Sequence, residues 1–128
     1  RLGIEEAADQ PGAGDAVDGA EFVYSHGLNV GEWVARNISN SVASSDLDSN
    51  IAVVAGTFYT LTIDVNAAAS SITYYIDGTS IGSIATNIPT GTGRETGIRA
   101  KIEKSAGITS RTAQLDFADW THNLTTAR

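Results

Sequence analysis

The 128-residue chain contains no cysteine, no methionine and only two prolines. Without cysteine it can form neither disulfide bonds nor metal sites with cysteine ligands. No apolar run approaches the roughly 20 residues that a transmembrane helix requires. No signal peptide is visible, and the chain starts at Arg1 rather than at a methionine. We therefore expect residues 1–128 to be one domain that is part of a longer or processed protein.

Positively charged residues are also scarce, with 8 Lys and Arg against 15 Asp and Glu, which gives a formal net charge of −7. Nucleic acids and anionic membranes attract basic proteins, so this charge argues against both partners. The basic residues that do occur are concentrated in residues 94–111, where Glu95 and Glu103 lie among them. We interpret this stretch as a solvated strand face rather than as a binding patch.

Short segments with a period of two dominate the rest of the chain. In residues 58–65, Leu61 and Ile63 fall on one face and Thr62 and Asp64 on the other, as expected of a half-buried strand. Residues 71–77 alternate again, and the Asp77-Gly78 pair that follows is typical of a tight hairpin turn. A second hairpin turn is predicted at Ala106-Gly107.

Further strands are predicted in residues 1–7, 21–25, 32–38, 51–54, 98–104 and 111–120, and residues 39–50 are interpreted as a loop or weak edge strand. About eight or nine short strands separated by turns favour an all-β sandwich of two antiparallel sheets. The side chains expected between the two sheets share the apolar face of their strands: Leu61, Ile63, Ile72, Tyr74, Ile76, Ile98, Ile102, Leu115 and Phe117.

The run FYTLTIDVNAAASSITYYIDGTSIGSIATNIP, residues 58–89, resembles the middle of concanavalin-A-like, laminin-G-like jelly rolls, in which one strand ends in Tyr-x-Asp-Gly. The closing ETGIRAKIEKSAGITSRTAQLDFADWT is similar to the last strands of that family. The opening RLGIEEA…DGAEFVYSHG…EWVARN is similar to the family as it occurs in bacteriophage virion proteins. The resemblance implies a concanavalin-A-like jelly-roll β-sandwich. Typical members are longer, so one or two N-terminal strands are expected to be missing.

Catalytic patterns are absent from the sequence. Hydrolases that resemble this fold carry E-x-D-x-x-E on one strand, and glycoside hydrolysis needs such a carboxylate pair at a defined separation. The nearest pair, Asp116 and Asp119, is three residues apart and so falls on opposite faces of a strand. The histidines His26 and His122 lie in or beside predicted loops, and no G-x-S-x-G elbow is present. We therefore expect a protein that is not an enzyme.

Two kinds of binding site deserve consideration. The aromatic rings of Tyr75, Trp33 and Trp120 could stack on sugars. Tyr75 is the best exposed of the three by its position, whereas both tryptophans are of a type that commonly fills sandwich cores. Alternate oxygen-bearing side chains that could bind Ca²⁺ occur at Asp46, Asp48 and Asn50. Since Ser- and Asp-rich turns are common without metal, we favour a turn that binds none.

The resemblance implies a non-enzymatic structural or adhesion module on a bacteriophage virion surface, as a capsid decoration, head-fibre or tail-fibre domain. We expect it to bind itself, other virion proteins and, in an adhesive role, a host-surface glycan. Self-association is expected because apolar edge pieces such as residues 51–54 invite pairing with another chain. The alternative is an extracellular glycan-binding module of a secreted bacterial protein. A fragment of a hydrolase that lacks its catalytic strand is a third hypothesis.

Overall fold

The computed structural model describes residues 1–6, 16–90, 96–102, 108, 110 and 112–121. Within these residues the regular structure is almost entirely β-strand, with one short 3₁₀ turn at Asn29–Gly31. The strands are β1 (Leu2–Glu6), β2 (Gly19–Tyr24), β3 (Glu32–Ser39), β4 (Val42–Ala43), β5 (Leu47–Ala52), β6 (Leu61–Val65), β7 (Ile72–Ile76), β8 (Thr79–Ile84) and β9 (Thr96–Ala100). No helix in this part of the chain is long and apolar enough to cross a membrane.

The strands form two antiparallel sheets. The first contains six strands in the order β4-β3-β2-β1-β9, with β5 also paired to β3. β4 and β5 follow one another along the same side of β3, opposite Ile38 and Ala35 respectively. The second sheet contains three strands in the order β6-β7-β8. The predicted all-β fold with two antiparallel sheets is therefore confirmed, and the jelly-roll order of strands stays a prediction.

The core lies between the sheets and is built from the inward faces of β2, β3, β7 and β8. Its buried members are Ala20, Phe22, Ala35, Ile72, Tyr74, Ile76 and Ile84. The rings of Phe22 and Tyr74 meet edge to face with centroids 5.3 Å apart, a geometry that aromatic pairs favour. The alternation in β7 thus correctly predicted Ile72, Tyr74 and Ile76 as core residues. Leu61 and Ile63 of β6 are half-buried and pack against this cluster.

The prediction that four further side chains lie in the core is wrong, because they are exposed. Ile98, Ile102, Leu115 and Phe117 are 43%, 53%, 54% and 71% exposed. The second sheet packs through β6 on β2 and through β8 on β5, so it does not cover β1 and β9 at the edge of the first sheet. Residues 112–120 form no strand, although a strand was predicted there. Alternation identifies a face that could be buried, but a packing partner decides whether it is.

The predicted hairpin turn at Asp77-Gly78 is confirmed. Asp77 and Gly78 have φ of 50° and 77°, and they join β7 to β8 as the predicted hairpin. Glycine adopts this left-handed region without steric cost. The predicted turn at Ala106-Gly107 lies outside the described residues. The weak edge strand predicted in residues 39–50 is present as β4 and the first part of β5.

Candidate functional site

One end of the sandwich carries an aromatic cluster made of Tyr24, Trp33 and Tyr59. Tyr24 ends β2 and lies opposite Trp33 of β3 in the antiparallel register. The Trp33 ring makes edge contacts to Tyr24 and Tyr59, with centroid separations of 6.2 and 6.0 Å. It also contacts Phe22 of the core at 6.4 Å. The cluster therefore connects the buried core to the solvent, since the Tyr24 side chain is exposed.

Two loops frame the aromatic cluster and are tied to each other. The backbone N–H of Val53 donates to the carbonyl oxygen of Gly31 at 3.0 Å. The Tyr59 hydroxyl accepts from the backbone N–H of Val54 at 2.9 Å and donates to the carbonyl oxygen of Ala52 at 3.2 Å. These bonds hold the loops in a fixed relation to the rings, as a preformed binding site requires.

The loop between β2 and β3 has an unusual backbone. Asn29, Val30 and Gly31 have φ of 44°, 48° and 84°. The left-handed region is unfavourable for a β-branched residue such as Val30. Backbone strain of this kind is often found where function needs a particular loop shape. The Val30 side chain is exposed, as are Val54 and Phe58 of the facing loop, so the aromatic cluster is surrounded by apolar surface.

A buried polar atom also lies in this cluster. The indole Nε1 of Trp33 is buried and has no hydrogen-bond partner among the described atoms. Buried indole N–H groups usually find an acceptor, and leaving one unpaired costs about 1–3 kcal/mol. The unpaired donor indicates that Trp33 is held here by ring packing rather than by a polar contact.

The three predicted sugar-binding residues lie in three different places. Trp33 faces the space between the sheets. Tyr75 lies on the outer face of the second sheet, half-buried, opposite Thr62 of β6 and Ser80 of β8. Trp120 is exposed and lies in residues 112–121, which have no regular structure. Trp33 instead has Tyr24 and Tyr59 as neighbours, which the sequence interpretation did not select. The cross-strand partnership of Tyr24 with Trp33 follows from the β2–β3 register alone.

The predicted calcium ligands lie at the start of β5. Asp48 and Asn50 are exposed on the strand, and Asp46 is exposed just before it. Asp48 Oδ1 accepts a hydrogen bond from the Asn50 backbone N–H at 3.1 Å, which supports the positive φ of 54° at Asn50. The described residues contain no group of three or more His, Asp or Glu side chains placed to hold a metal ion. The expectation of a turn that binds no metal at Asp46, Asp48 and Asn50 stays a prediction, with Ca²⁺ binding as its alternative.

The fold also forms a carboxylate pair that the sequence did not reveal. Glu32 of β3 and Asp48 of β5 are 16 positions apart, and the pairing of these strands brings their side chains together. Partial burial raises the pKa of Glu32 above its usual value, and the hydrogen bond and negative charge of Asp48 raise it further. A pair of this kind retains a proton, or attracts a cation, more readily than an isolated carboxylate.

Glu21 is a fully buried carboxylate on the outer face of the first sheet. Its Oε1 lies 2.7 Å from the Arg36 Nε and 3.9 Å from an Arg1 guanidinium nitrogen, while its Oε2 is buried and has no hydrogen-bond partner among the described residues. Gly3 of β1 lies directly opposite. A Cβ at Gly3 would lie 2.3 Å from the Ala20 carbonyl oxygen, so only glycine fits. The ion pair is enclosed in the sheet and is suited to structure rather than to substrate contact.

The other acid–base candidates are dispersed. Asp116 and Asp119 both lie in the exposed, irregular residues 112–121. His26 is exposed in the loop after β2, and His122 lies outside the described residues. The structure brings none of the described members of this group together at one site.

Comparison with known proteins gives one result. A family model described as "SO2946-like, C-terminal domain" matches residues 7–116, which is most of the chain. No curated protein and no solved structure matches this chain.

Proposed function

We propose that this chain, which belongs to the family of SO2946-like C-terminal domains, is a non-enzymatic structural and adhesion module on the surface of a bacteriophage virion. It would act as a capsid decoration, head-fibre or tail-fibre domain, with itself and other virion proteins as partners. The residues that resemble phage virion domains motivate the proposal, and one structural observation supports it further.

That observation is the open edge of β9. Among the described strands, β9 pairs with β1 alone. The Lys101 N–H donates to the Arg1 carbonyl oxygen, and antiparallel bonding alternates along a strand. The backbone groups of Ile98 and Ala100 therefore point away from β1. A row of unpaired backbone groups can accept a strand from another chain, and the exposed Ile98 and Ile102 side chains add apolar surface beside it. Both features are suited to an assembly component.

Charge supports the choice of partners. The formal net charge of −7 favours protein contacts over nucleic acid or anionic membranes. It also opposes close packing of identical copies, because like charges repel. Raising the salt concentration should therefore strengthen self-association through screening, whereas binding to a nucleic acid would weaken.

The non-enzymatic part of the proposal is supported by how the carboxylates are used. Glu21 is buried in an ion pair with Arg36, and Asp116 and Asp119 are exposed in a segment without regular structure. The close Glu32–Asp48 pair joins a residue of β3 to one of β5 on the outer face of the first sheet. Incubation with β-glucans, agars and bacterial surface polysaccharides should release no reducing ends above a buffer control. Release that is lost in Asp116→Asn would contradict this part of the proposal.

Mass spectrometry of gradient-purified particles tests the proposal as a whole. We expect peptides of this chain at a copy number comparable to that of other minor structural proteins. Absence from particles, with the protein found in the culture supernatant instead, would favour the second candidate.

The second candidate is an extracellular glycan-binding module, and the aromatic cluster is the observation that favours it. Tyr24 is exposed beside Trp33, and two hydrogen-bonded loops hold the site in shape. Aromatic rings beside a small number of polar groups are typical of ligand sites. In a glycan array followed by titration, Tyr24→Ala should weaken binding about fivefold or more, if stacking on this ring contributes about as much as stacking of a nucleic-acid base on an aromatic ring, on the order of 1–3 kcal/mol. Tyr75→Ala, on the outer face, is the matched control. Lost binding in Tyr75→Ala together with unchanged binding in Tyr24→Ala would move the site to Tyr75.

Calcium is tested separately. If Asp46, Asp48 and Asn50 bind Ca²⁺, millimolar Ca²⁺ should raise the melting temperature and EDTA should reverse the rise. Asp46→Asn and Asp48→Asn should each remove the effect. An unchanged melting temperature in the unsubstituted protein would leave these residues as an ordinary turn.

A further inference from the structure

The second sheet ends at an open edge on β6. Among the described strands, β6 pairs with β7 alone. The Asp77 N–H donates to the Thr60 carbonyl oxygen, and the Asn66 N–H donates to the Ser71 carbonyl oxygen. Because hydrogen-bonded pairs alternate along an antiparallel ladder, the odd-numbered residues between these two bonds have their backbone groups directed away from β7. These residues are Leu61, Ile63 and Val65.

An uncovered apolar surface lies beside this edge. β6 packs on β2, so a further strand next to β6 would lie over β1 and β9. The inward faces of β1 and β9 present Leu2, Ile4 and Ile98, since Leu2 and Ile4 lie opposite the core residues Phe22 and Ala20 of β2. Ile98 and Ile102 are exposed there, as is Val65 at the end of β6. The site therefore offers unpaired backbone on one side and apolar side chains beneath.

Residues 112–120 have the pattern that such a site requires. Ala113, Leu115 and Phe117 alternate with Thr112, Gln114 and Asp116. In the structure Leu115 and Phe117 are exposed, and the segment pairs with no strand among the described residues. Exposed large apolar side chains with period two are expected where a strand can be bound.

The connection to β9 selects the segment of the same chain as the occupant. β9 ends at Ala100, and residues 103–111 separate Ile102 from Thr112. An extended chain of that length spans up to roughly 30 Å, whereas packed sheets are about 10 Å apart. Residues 112–120 can therefore pass from the edge of the first sheet to the edge of the second. Because the connection is short, it also keeps them at an effective concentration on the order of millimolar.

We propose that residues 112–120 bind along the open edge of β6 as a fourth strand of the second sheet, with Leu115 and Phe117 directed onto β1 and β9. The exposed arrangement seen in the structure is the other state of this equilibrium. The segment acts as a detachable strand that covers or uncovers the apolar faces of β1 and β9. This inference does not require the proposed function and would hold equally for a glycan-binding module. In the bound state the segment covers Ile98, and the backbone edge of β9 then remains for another chain.

Hydrogen exchange of the whole chain, followed by NMR, tests the proposal at the amides of Leu61, Ile63 and Val65. Opening of a bound strand controls the exchange of the amides that it pairs with. We expect these three amides to exchange at least about tenfold faster in Leu115→Asp/Phe117→Asp than in the unsubstituted protein. The control Gln114→Asp/Ala118→Asp adds the same charge on the opposite face of the segment, and it should retain slow exchange.

Two results would overturn the proposal. The first is equal exchange at these amides in the unsubstituted protein and in Leu115→Asp/Phe117→Asp, while the Tyr74 amide of β7 stays protected in both and shows that both are folded. The second is protection that rises with protein concentration together with a dimeric mass, because a second copy would then supply the strand.

Discussion

The hydroxyl of Tyr74 lies 2.5 Å from Oδ1 of Asn37 and joins the two sheets at the centre of the core. Both side chains are fully buried. The same hydroxyl is 2.9 Å from the Arg36 carbonyl oxygen, and the Asn37 amide nitrogen donates to the Thr86 carbonyl oxygen at 3.0 Å. Buried polar groups are stable only when they are paired in this way. The contact therefore fixes how the second sheet is placed on the first.

Removing this hydroxyl should be costly. In Tyr74→Phe, Asn37 Oδ1 loses its donor within the core, so we expect the free energy of unfolding to fall by about 1–3 kcal/mol. Urea denaturation measures the change. Tyr75→Phe, one position along on the outer face, is the matched control and should change stability by less than about 0.5 kcal/mol. Equal losses in the two variants would show that the inter-sheet contact contributes nothing specific.

The same residue predicts a dependence on alkaline pH. Burial, and secondly the charge of Glu21, raise the pKa of Tyr74 above its usual value of 10.0. Because the folded state keeps the proton that the unfolded chain releases, the stability from this group is fully present below pH 10 and falls as the pH rises above it. Above pH 10 the unsubstituted protein should lose up to about 1.4 kcal/mol more per pH unit than Tyr74→Phe. Parallel stability curves for the two proteins would contradict this assignment.

The core predicts a graded response to truncation. Ile76 is fully buried between the sheets, so Ile76→Ala should cost about 2–5 kcal/mol. Ile63 is half-buried at the edge strand β6, and Ile63→Ala should cost distinctly less. Chemical denaturation of both variants checks the order. A smaller loss for Ile76→Ala than for Ile63→Ala would mean that the inward face of the second sheet is assigned incorrectly.

Removing the negative charge of Asp48 from the Glu32–Asp48 pair is expected to raise the stability of the protein rather than to lower it. The pKa of Glu32 is raised in the folded state, so its favourable contribution is present below the usual carboxyl pKa and is lost as the pH rises through the folded value. Asp48→Asn should therefore raise the melting temperature at pH 7 and have a smaller effect at pH 4. Asp46→Asn removes the same charge without a partner at Glu32 and serves as the control. A rise of the same size in both variants would indicate a general effect of net charge.

Sequence patterns predicted the centre of this fold better than its margins. Period-two alternation identified Ile72, Tyr74 and Ile76, because β7 has neighbours on both sides and a sheet beneath it. The same pattern at Leu115 and Phe117 failed, since no described strand pairs with that segment. Local sequence reports which face of a strand is apolar, but it contains no information on how wide the opposing sheet is.

The candidate sites were likewise predictable only in part: a residue could be selected by its type, but its neighbours in the fold could not. Trp33 was identified from its residue type, whereas Tyr24 and Tyr59 became its neighbours through strand register and a loop that returns from β5. Glu32 and Asp48 meet only because β3 pairs with β5. Contacts of this kind depend on long-range pairing, which single-sequence patterns do not specify.

Immunogold electron microscopy of intact, gradient-purified phage particles, with antibodies raised against this domain, tests the proposed function most directly. We expect gold particles at regular positions on the outside of capsids or fibres, and loss of the label when the gene is deleted. Particles from the deletion strain are the matched control. Unlabelled intact particles that become labelled only after disruption, or no label in either state, would contradict a role on the virion surface.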